Sequence, residues 1–215
     1  MKLHLGCGQK HLKDYINIDF PISEHNIQEK SVAEIQTDIT KLSYTPSTID
    51  EIRLNHVFEH FTRPIACALI VVWRHWLKPD GILHIEVPDF YKTSFLILNP
   101  FSSSRKKSVA LRHLFGSHEA SWAVHREGYT ISKLCTILKI TGFEILKIYR
   151  NSYKGTYNFE IIARKSGNNF SKADLEKNVK DFLSEYLIDF SKSELKLLSV
   201  WIDKYRHQLD KGGIK

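Results

Sequence analysis

The sequence predicts a parallel α/β sheet followed by a pair of C-terminal helices. Three observations carry that reading. Short alternating apolar runs recur between stretches of helical length, the pattern of strands joined by helical crossovers. The first run, residues 2–5, stops at Gly6-Cys7-Gly8, and the second, residues 15–19, stops at Asp19. The last forty or so residues hold two Ser-x-x-acid starts, Ser171-x-x-Asp174 and Ser191-x-x-Glu194, each followed by apolar residues at helical spacing.

The remaining elements follow in order. Residues 33–38 read as a third strand ending on Asp38, and residues 49–54 as a fourth that enters Asn55-His56-Val57-Phe58-Glu59-His60. Residues 65–76 have helical length and stop at Leu77-Lys78-Pro79-Asp80-Gly81. Residues 82–87 alternate, are rich in β-branched side chains and are halted by Pro88, so they form a fifth strand. A helix over 130–141 ends at Gly142, and residues 143–149 and 157–163 complete the strands. Between them lies a long insertion, residues 89–129, with a helix over 106–115 and then a histidine-containing run, His118, Trp122 and His125. Insertions of this length in a domain tend to build binding segments. In the tail, Leu175, Val179, Phe182, Leu183, Tyr186, Leu187 and Phe190 share one helical face; Leu195, Leu198, Trp201, Ile202, Tyr205 and Leu209 share another. Their burial requires either the parent domain or a second copy. The chain therefore divides into residues 1–165 and a hairpin, residues 171–211, expected to be separable from it.

Bulk properties narrow the function classes. A 42% hydrophobic and 26% charged chain belongs with ordinary globular proteins. The longest apolar run, residues 65–72, is far short of the ~20 residues of a membrane span. A strand starts at residue 2, so no leader is expected, and three scattered cysteines point to a reducing, cytoplasmic setting. The net charge of +7 and pI near 9.2 raise nucleic acid as a partner. The one basic cluster, Arg105-Lys106-Lys107 with Arg112, is too short for a polyanion groove and reads as a solvated face.

A glycine turn after a strand lets a ligand approach the main chain, because glycine has no Cβ, and leaves backbone N–H groups exposed. An acidic residue ending the neighbouring strand can accept from a ribose diol. The two together read as a nucleoside site at the C-terminal edge of the sheet. The order LGCG, NID, a third strand ending in Asp, HVFEH, LKPDGILHIEVPD and TGF resembles the class I S-adenosylmethionine-dependent methyltransferases over residues 2–165. It is similar to a small bacterial group in which the second strand follows the first closely, so the usual intervening helix should be missing. The resemblance implies a Rossmann-like, mostly parallel seven-stranded sheet and S-adenosyl-L-methionine as cofactor. It places Leu5, Gly6, Cys7 and Gly8 beside the methionyl part, Asp19 on the ribose hydroxyls, Asp38 on the adenine amino group, Ile39 against the ring, and Asn55 and His56 facing the methyl group. Capping of turns is the competing role for Asp19 and Asp38, and steric filling the expected one for Cys7.

Methyl transfer is an in-line displacement in which alignment does most of the work. An oxygen acceptor must also lose its proton, and histidine suits that task at neutral pH. His125 in the insertion is the first candidate base, with His56 and His60 next; the latter two should share a helical face around Glu59. Ubiquinone-pathway O-methyltransferases carry a similar E-x-x-E-H and use it with a divalent ion. Here His56 stands in place of the first Glu, so no metal ligands are assigned. The acceptor is expected to be a small molecule or cell-surface glycan, with homodimerisation through the tail as a further expectation. An RNA methyltransferase and a non-catalytic cofactor-binding partner protein are the alternatives. The former is disfavoured because no NPPY-type sequence follows the fourth strand.

Overall fold

The computed structural model describes residues 1–168 and 170–214. Strands β1 (Lys2–Leu5), β2 (Ile16–Asp19), β3 (Ile35–Gln36), β4 (Ile49–Asn55), β5 (Leu77–Pro88), β6 (Phe143–Tyr153) and β7 (Thr156–Lys165) form one seven-stranded sheet. Its order is β3-β2-β1-β4-β5-β7-β6, with only β7 antiparallel to its neighbours. The helices are α1 (Arg63–Trp76), α2 (Phe90–Leu98), α3 (Ser104–Phe115), α4 (Ile131–Ile140), α5 (Lys172–Ser184) and α6 (Lys192–Lys211). The mostly parallel α/β sheet with a C-terminal helical pair is thus the observed architecture.

The register explains why the strands alternate rather than run continuously apolar. Leu3 pairs with Ile16 and Ile52, and Leu5 with Ile18 and Leu54; Ile85 pairs with Leu54 and Ile161. These residues form one face, all fully buried but Ile16, in a core shared with α1, α4, α5 and α6. The opposite face is polar. His4 pairs with Asn17 and Arg53, and Arg53 with His84. Side chains there bond across the strands: His4 Nδ1 donates to Asn17 Oδ1 at 2.9 Å, and Arg53 reaches Glu160 at 3.2 Å. The connections β1–β2 and β2–β3 hold no α-helix to cover this face. Residues 6–15 are too few for the crossover of about a dozen residues or more that a helix needs, as the close LGCG…NID spacing anticipates.

Helix α1 is buried on nearly every side, from Ala66 through Trp73 and again at Trp76. A helix apolar all round must be enclosed. The sheet covers one side, and the α5–α6 pair covers the other: Leu198, Ile202, Tyr205 and Leu209 are buried in the same cluster as Trp73 and Trp76. At Gly212 the chain passes so close to α1 that a Cβ would lie 2.3 Å from Val72 Cγ2. The tail faces are therefore spent on the parent sheet and helix within one continuous core.

Several elements differ from the sequence expectation. The third strand shrinks from residues 33–38 to Ile35–Gln36 because Asp38 turns to cap a 3-10 helix, Ile39–Lys41, accepting from Thr40 N at 2.9 Å. The Pro-Gly segment 77–81 does not stop the chain but opens β5, whose register shifts where it passes Ile49 and Glu51. Helix α2 was not anticipated; its segment is apolar without helical period, and Asp89 caps it by accepting from Lys92 N at 3.0 Å. The first tail capping box forms, Ser171 and Asp174 exchanging bonds. The second does not, since Glu194 accepts instead from Ile188 N at 3.1 Å. Phe190 and Leu195, expected on the buried faces, are exposed because they border that connection.

Leu209→Ala should lower stability by about 2–5 kcal/mol, the cost of truncating a buried leucine. Phe190→Ala should change it by no more than ~0.5 kcal/mol, as at an ordinary surface position. Urea denaturation of both variants checks this; equal losses would mean that α6 does not cover α1.

Candidate functional site

A cavity of about 1250 Å³ opens at the C-terminal edge of the sheet, over β1, β2 and β4. In open α/β sheets ligands bind where the strand order reverses, and here β1 leads outward to β2 while the next half begins at β4. The turn after β1 forms one wall. Gly6 and Gly8 have φ of +65° and +54°, which a glycine adopts without strain. A Cβ on Gly6 would strike Val57 Cγ2 at 2.2 Å, whereas one on Gly8 would meet nothing within 4 Å.

The expectation of exposed N–H groups in this turn is corrected. Gly6 and Cys7 both donate to the Ile18 carbonyl, at 2.8 and 3.1 Å. Gly8 N–H donates to Asp19 Oδ2 at 2.6 Å. With β2 adjacent and no helix between, the turn satisfies its own donors on its neighbour. Asp19 therefore anchors the turn and also lines the cavity; its Oδ1 accepts from Phe20 N at 2.8 Å. Oδ2 also accepts from Cys7 Sγ at 3.9 Å, so Oδ1 is the oxygen with a second lone pair for an incoming hydroxyl. Cys7 is buried, and burial, reinforced by the Asp19 charge, pushes its thiol up to about 12. It is a protonated packing residue. Leu5 lies wholly in the core and Asn55 at the cavity, donating to Glu86 and accepting from Arg53 Nε at 3.0 Å.

Asp38 and Ile39 line the same cavity. Asp38 Oδ1 is spent on Thr40 N and Oγ1, while Oδ2 accepts none of the described hydrogen bonds. Capping therefore occupies Oδ1 alone. Trp122, singled out in the insertion, lines the roof as expected, but its pairing with the loop after β2 was not legible in the sequence. Trp122 Nε1 donates to the Glu24 carbonyl at 2.6 Å and its ring lies 4.9 Å from that of His25. Asn26 bonds the Glu119 carbonyl, strapping the insertion to the loop after β2. His25, Phe20 and Arg126 also line the cavity; they sit in loops without periodicity, so no sequence signal marked them.

The histidines separate into different roles. His56 has a left-handed φ of +54°, so it and His60 do not share a helical face. His56 Nδ1 lies 3.4 Å from Glu59 and Nε2 3.7 Å from Glu86. Burial disfavours its charge, yet the two carboxylates outweigh burial and raise it to about 9. The two carboxylates favour its imidazolium form, which argues against a role as base. Glu86 is correspondingly held down at about 2, first by His56. His60 Nδ1 faces the Trp122 and Val124 carbonyls at 2.8 and 3.2 Å, so Nδ1 is a donor there. His125 lies behind His60, ring centroids 4.7 Å apart, and does not line the cavity, contrary to its expected place as first-choice base. Burial pushes its pKa down. His118 turns away, donating to the Phe115 carbonyl at 2.9 Å where α3 ends.

No metal ligands were assigned from sequence. The fold nonetheless brings ligand atoms of Glu59, His60 and His125 within 4.8 Å of one another, among the described residues. His125 arrives from the insertion, so spacing along the HVFEH run could not reveal the cluster. Such a set of two imidazoles and a carboxylate has the donor chemistry to hold a divalent ion.

No protein-family model matches the chain, and neither does a curated protein. Solved structures do. A SAM-dependent methyltransferase from Methanosarcina mazei aligns with a TM-score of 0.51 at 17% identity, over 77% of this chain and 92% of its own. One from Archaeoglobus fulgidus aligns with a TM-score of 0.52 at 16% identity, over 76% and 85%. A methyltransferase in complex with the Haloferax volcanii activator Trm112 aligns with a TM-score of 0.54 at 9% identity, over 79% and 83%. The chain has the class I methyltransferase fold that these structures share.

The folded value of His56 lies above that of a free imidazole, about 6.5. Its ion pairs therefore contribute fully to stability below about pH 6.5, and the contribution is lost as pH rises through about 9. NMR titration of the His56 ring should show a midpoint near 9 that falls in Glu59→Gln. A midpoint near that of free imidazole in the unmodified protein would mean that the carboxylates do not hold it.

Proposed function

We propose that this protein is a SAM-dependent methyltransferase acting on an oxygen of a small molecule or a cell-surface glycan. The observation that carries the reading is the cavity at the reversal of strand order. Its first wall holds the glycine turn, Asp19, Asp38 and Ile39; its second holds His56, His60 and Trp122. The residues fit the cofactor. Open space at Gly8 leaves room beside the turn, Asp19 keeps a lone pair on Oδ1, and Asp38 keeps Oδ2 for an amino group. Gly6 and Gly8 would border the methionyl part, Asp19 the ribose and Asp38 with Ile39 the adenine.

When bound, the cofactor supplies a methyl group on a positively charged sulfur. The chain's own residues do the rest. His60 is the candidate base: its Nδ1–H is fixed by the Trp122 carbonyl, and the residue lines the cavity. The His125 ring packs edge-on against it at 4.7 Å, and the Glu59 carboxylate behind it would offset the charge it gains. The indole of Trp122 and the Phe20 ring, 5.8 Å apart, exclude water from the roof and offer an aromatic surface to a sugar or ring-bearing acceptor.

Calorimetry with SAM tests the first wall. Asp19→Asn keeps an oxygen for Gly8 N–H but removes the charge, and should weaken binding by about 1.5–3 kcal/mol. An unchanged affinity in the folded variant would sink the ribose assignment. His60→Ala should leave that affinity nearly constant. Once an acceptor is found by screening sugar nucleotides, lipid-linked glycans and RNA, it should lower turnover by ~10²–10⁴. Loss of turnover in His125→Ala with a silent His60→Ala would return the base to His125.

A further inference from the structure

The hairpin formed by α2 and α3 is an unusual surface. At its tip Phe95, Leu98 and Phe101 are 60%, 78% and 96% exposed. Large apolar side chains are seldom left together in water without a partner. The surrounding charge has one sign: residues 90–118 contain Lys92, Arg105, Lys106, Lys107 and Arg112 and no acidic residue. Lys92 and Lys106 share an open depression with Phe95, Leu98 and Tyr157, so cations and apolar groups lie side by side. The basic cluster that the sequence presents as a solvated face is thus joined to an apolar tip.

We propose that this hairpin docks the protein on an anionic lipid bilayer, with Phe95, Leu98 and Phe101 in the interface and Lys92, Arg105, Lys106 and Lys107 against the headgroup phosphates. Among the described residues no helix is long and apolar enough to cross a membrane, so the hairpin lies in the interface rather than spanning it. Apolar insertion and attraction of cations to anionic lipids add in such surfaces. A second copy of the same patch is a poor occupant, because its cations would face their own kind. A nucleic-acid backbone would use the cations but leave the tip in water. The far end of α3 carries His113, its ring 5.7 Å from that of His56. A docked hairpin therefore holds the cavity about one helix length, ~18 Å, from its tip.

Cosedimentation of the full chain with vesicles of phosphatidylcholine, and of equal parts phosphatidylcholine and phosphatidylglycerol, tests this. Binding to the anionic vesicles should be at least ~10-fold tighter than to the neutral ones and should weaken as salt rises. The double substitution Leu98→Asp/Phe101→Asp should reduce it at least ~10-fold, since two apolar anchors leave the interface. Lys106→Gln and Lys107→Gln should each cost about fivefold. Leu98, Phe101 and Lys106 are exposed and Lys107 is half-buried, and circular dichroism and the thermal transition should be unchanged. Equal binding to both vesicle types, no binding to either, or binding indifferent to the Leu98/Phe101 change in a folded variant would overturn the proposal. So would concentration-dependent self-association that the same change abolishes without any vesicle binding, which would make a second copy the occupant.

Discussion

Glu59 is the group on which the arrangement of the site depends. Its side chain is 1% exposed and neither oxygen has a hydrogen-bond partner among the described residues; burial favours its neutral form, and the neighbouring histidines, His56 first, reverse that and lower its pKa. A buried anion is costly unless opposite charge is close. His56 supplies it at 3.4 Å, at the cost of a left-handed backbone, and is itself tied to Glu86 on β5. The backbone carbonyl of the same glutamate accepts from Arg126 N at 2.8 Å and Glu127 N at 3.2 Å. One residue therefore favours the charged form of one histidine and sets the surroundings of two others and the entry of the insertion into the site.

The sheet supplies the platform with unusual economy. Because residues 6–15 make a tight connection, the turn after β1 bonds directly to the end of β2, and Asp19 serves both as tether and as cavity wall. The missing crossover helices leave one face polar, held by cross-strand bonds such as those of His4, Asn17, Arg53 and Glu160. Apolar burial is concentrated on the other face, where α1 is enclosed between sheet and tail. The tail is then a layer of the core, and the loops above the open end of the sheet are free to form the roof.

That roof shows how far local pattern reaches. Strand ends with glycine or aspartate, the Asp89-capped exit from β5 and the serine-capped start of α5 are all set by residues within a few positions of one another. Trp122 on Glu24, Asn26 on Glu119 and His125 on Glu59 join segments distant in the chain. Nothing in the composition of either segment marks its partner. The same distance hid the different surroundings of the histidines, because carboxylates and carbonyls around these rings come from other segments of the chain.

The sequence by itself determined the alternation of the strands, the order of the elements, the place of Gly6, Gly8, Asp19, Asp38 and Ile39 along one wall, and the helical pair at the end. These follow from periodicity and from the backbone preferences of single residues, which act over one or two turns of chain. Only the tertiary structure decided that the glycine turn spends its N–H groups on β2, that Glu194 leaves its expected cap, that His60 rather than His125 borders the cavity, and that the basic cluster sits beside exposed Phe101. Each of these depends on neighbours or on exposure that periodicity and single-residue preference do not carry, and those exist only once the chain has closed on itself.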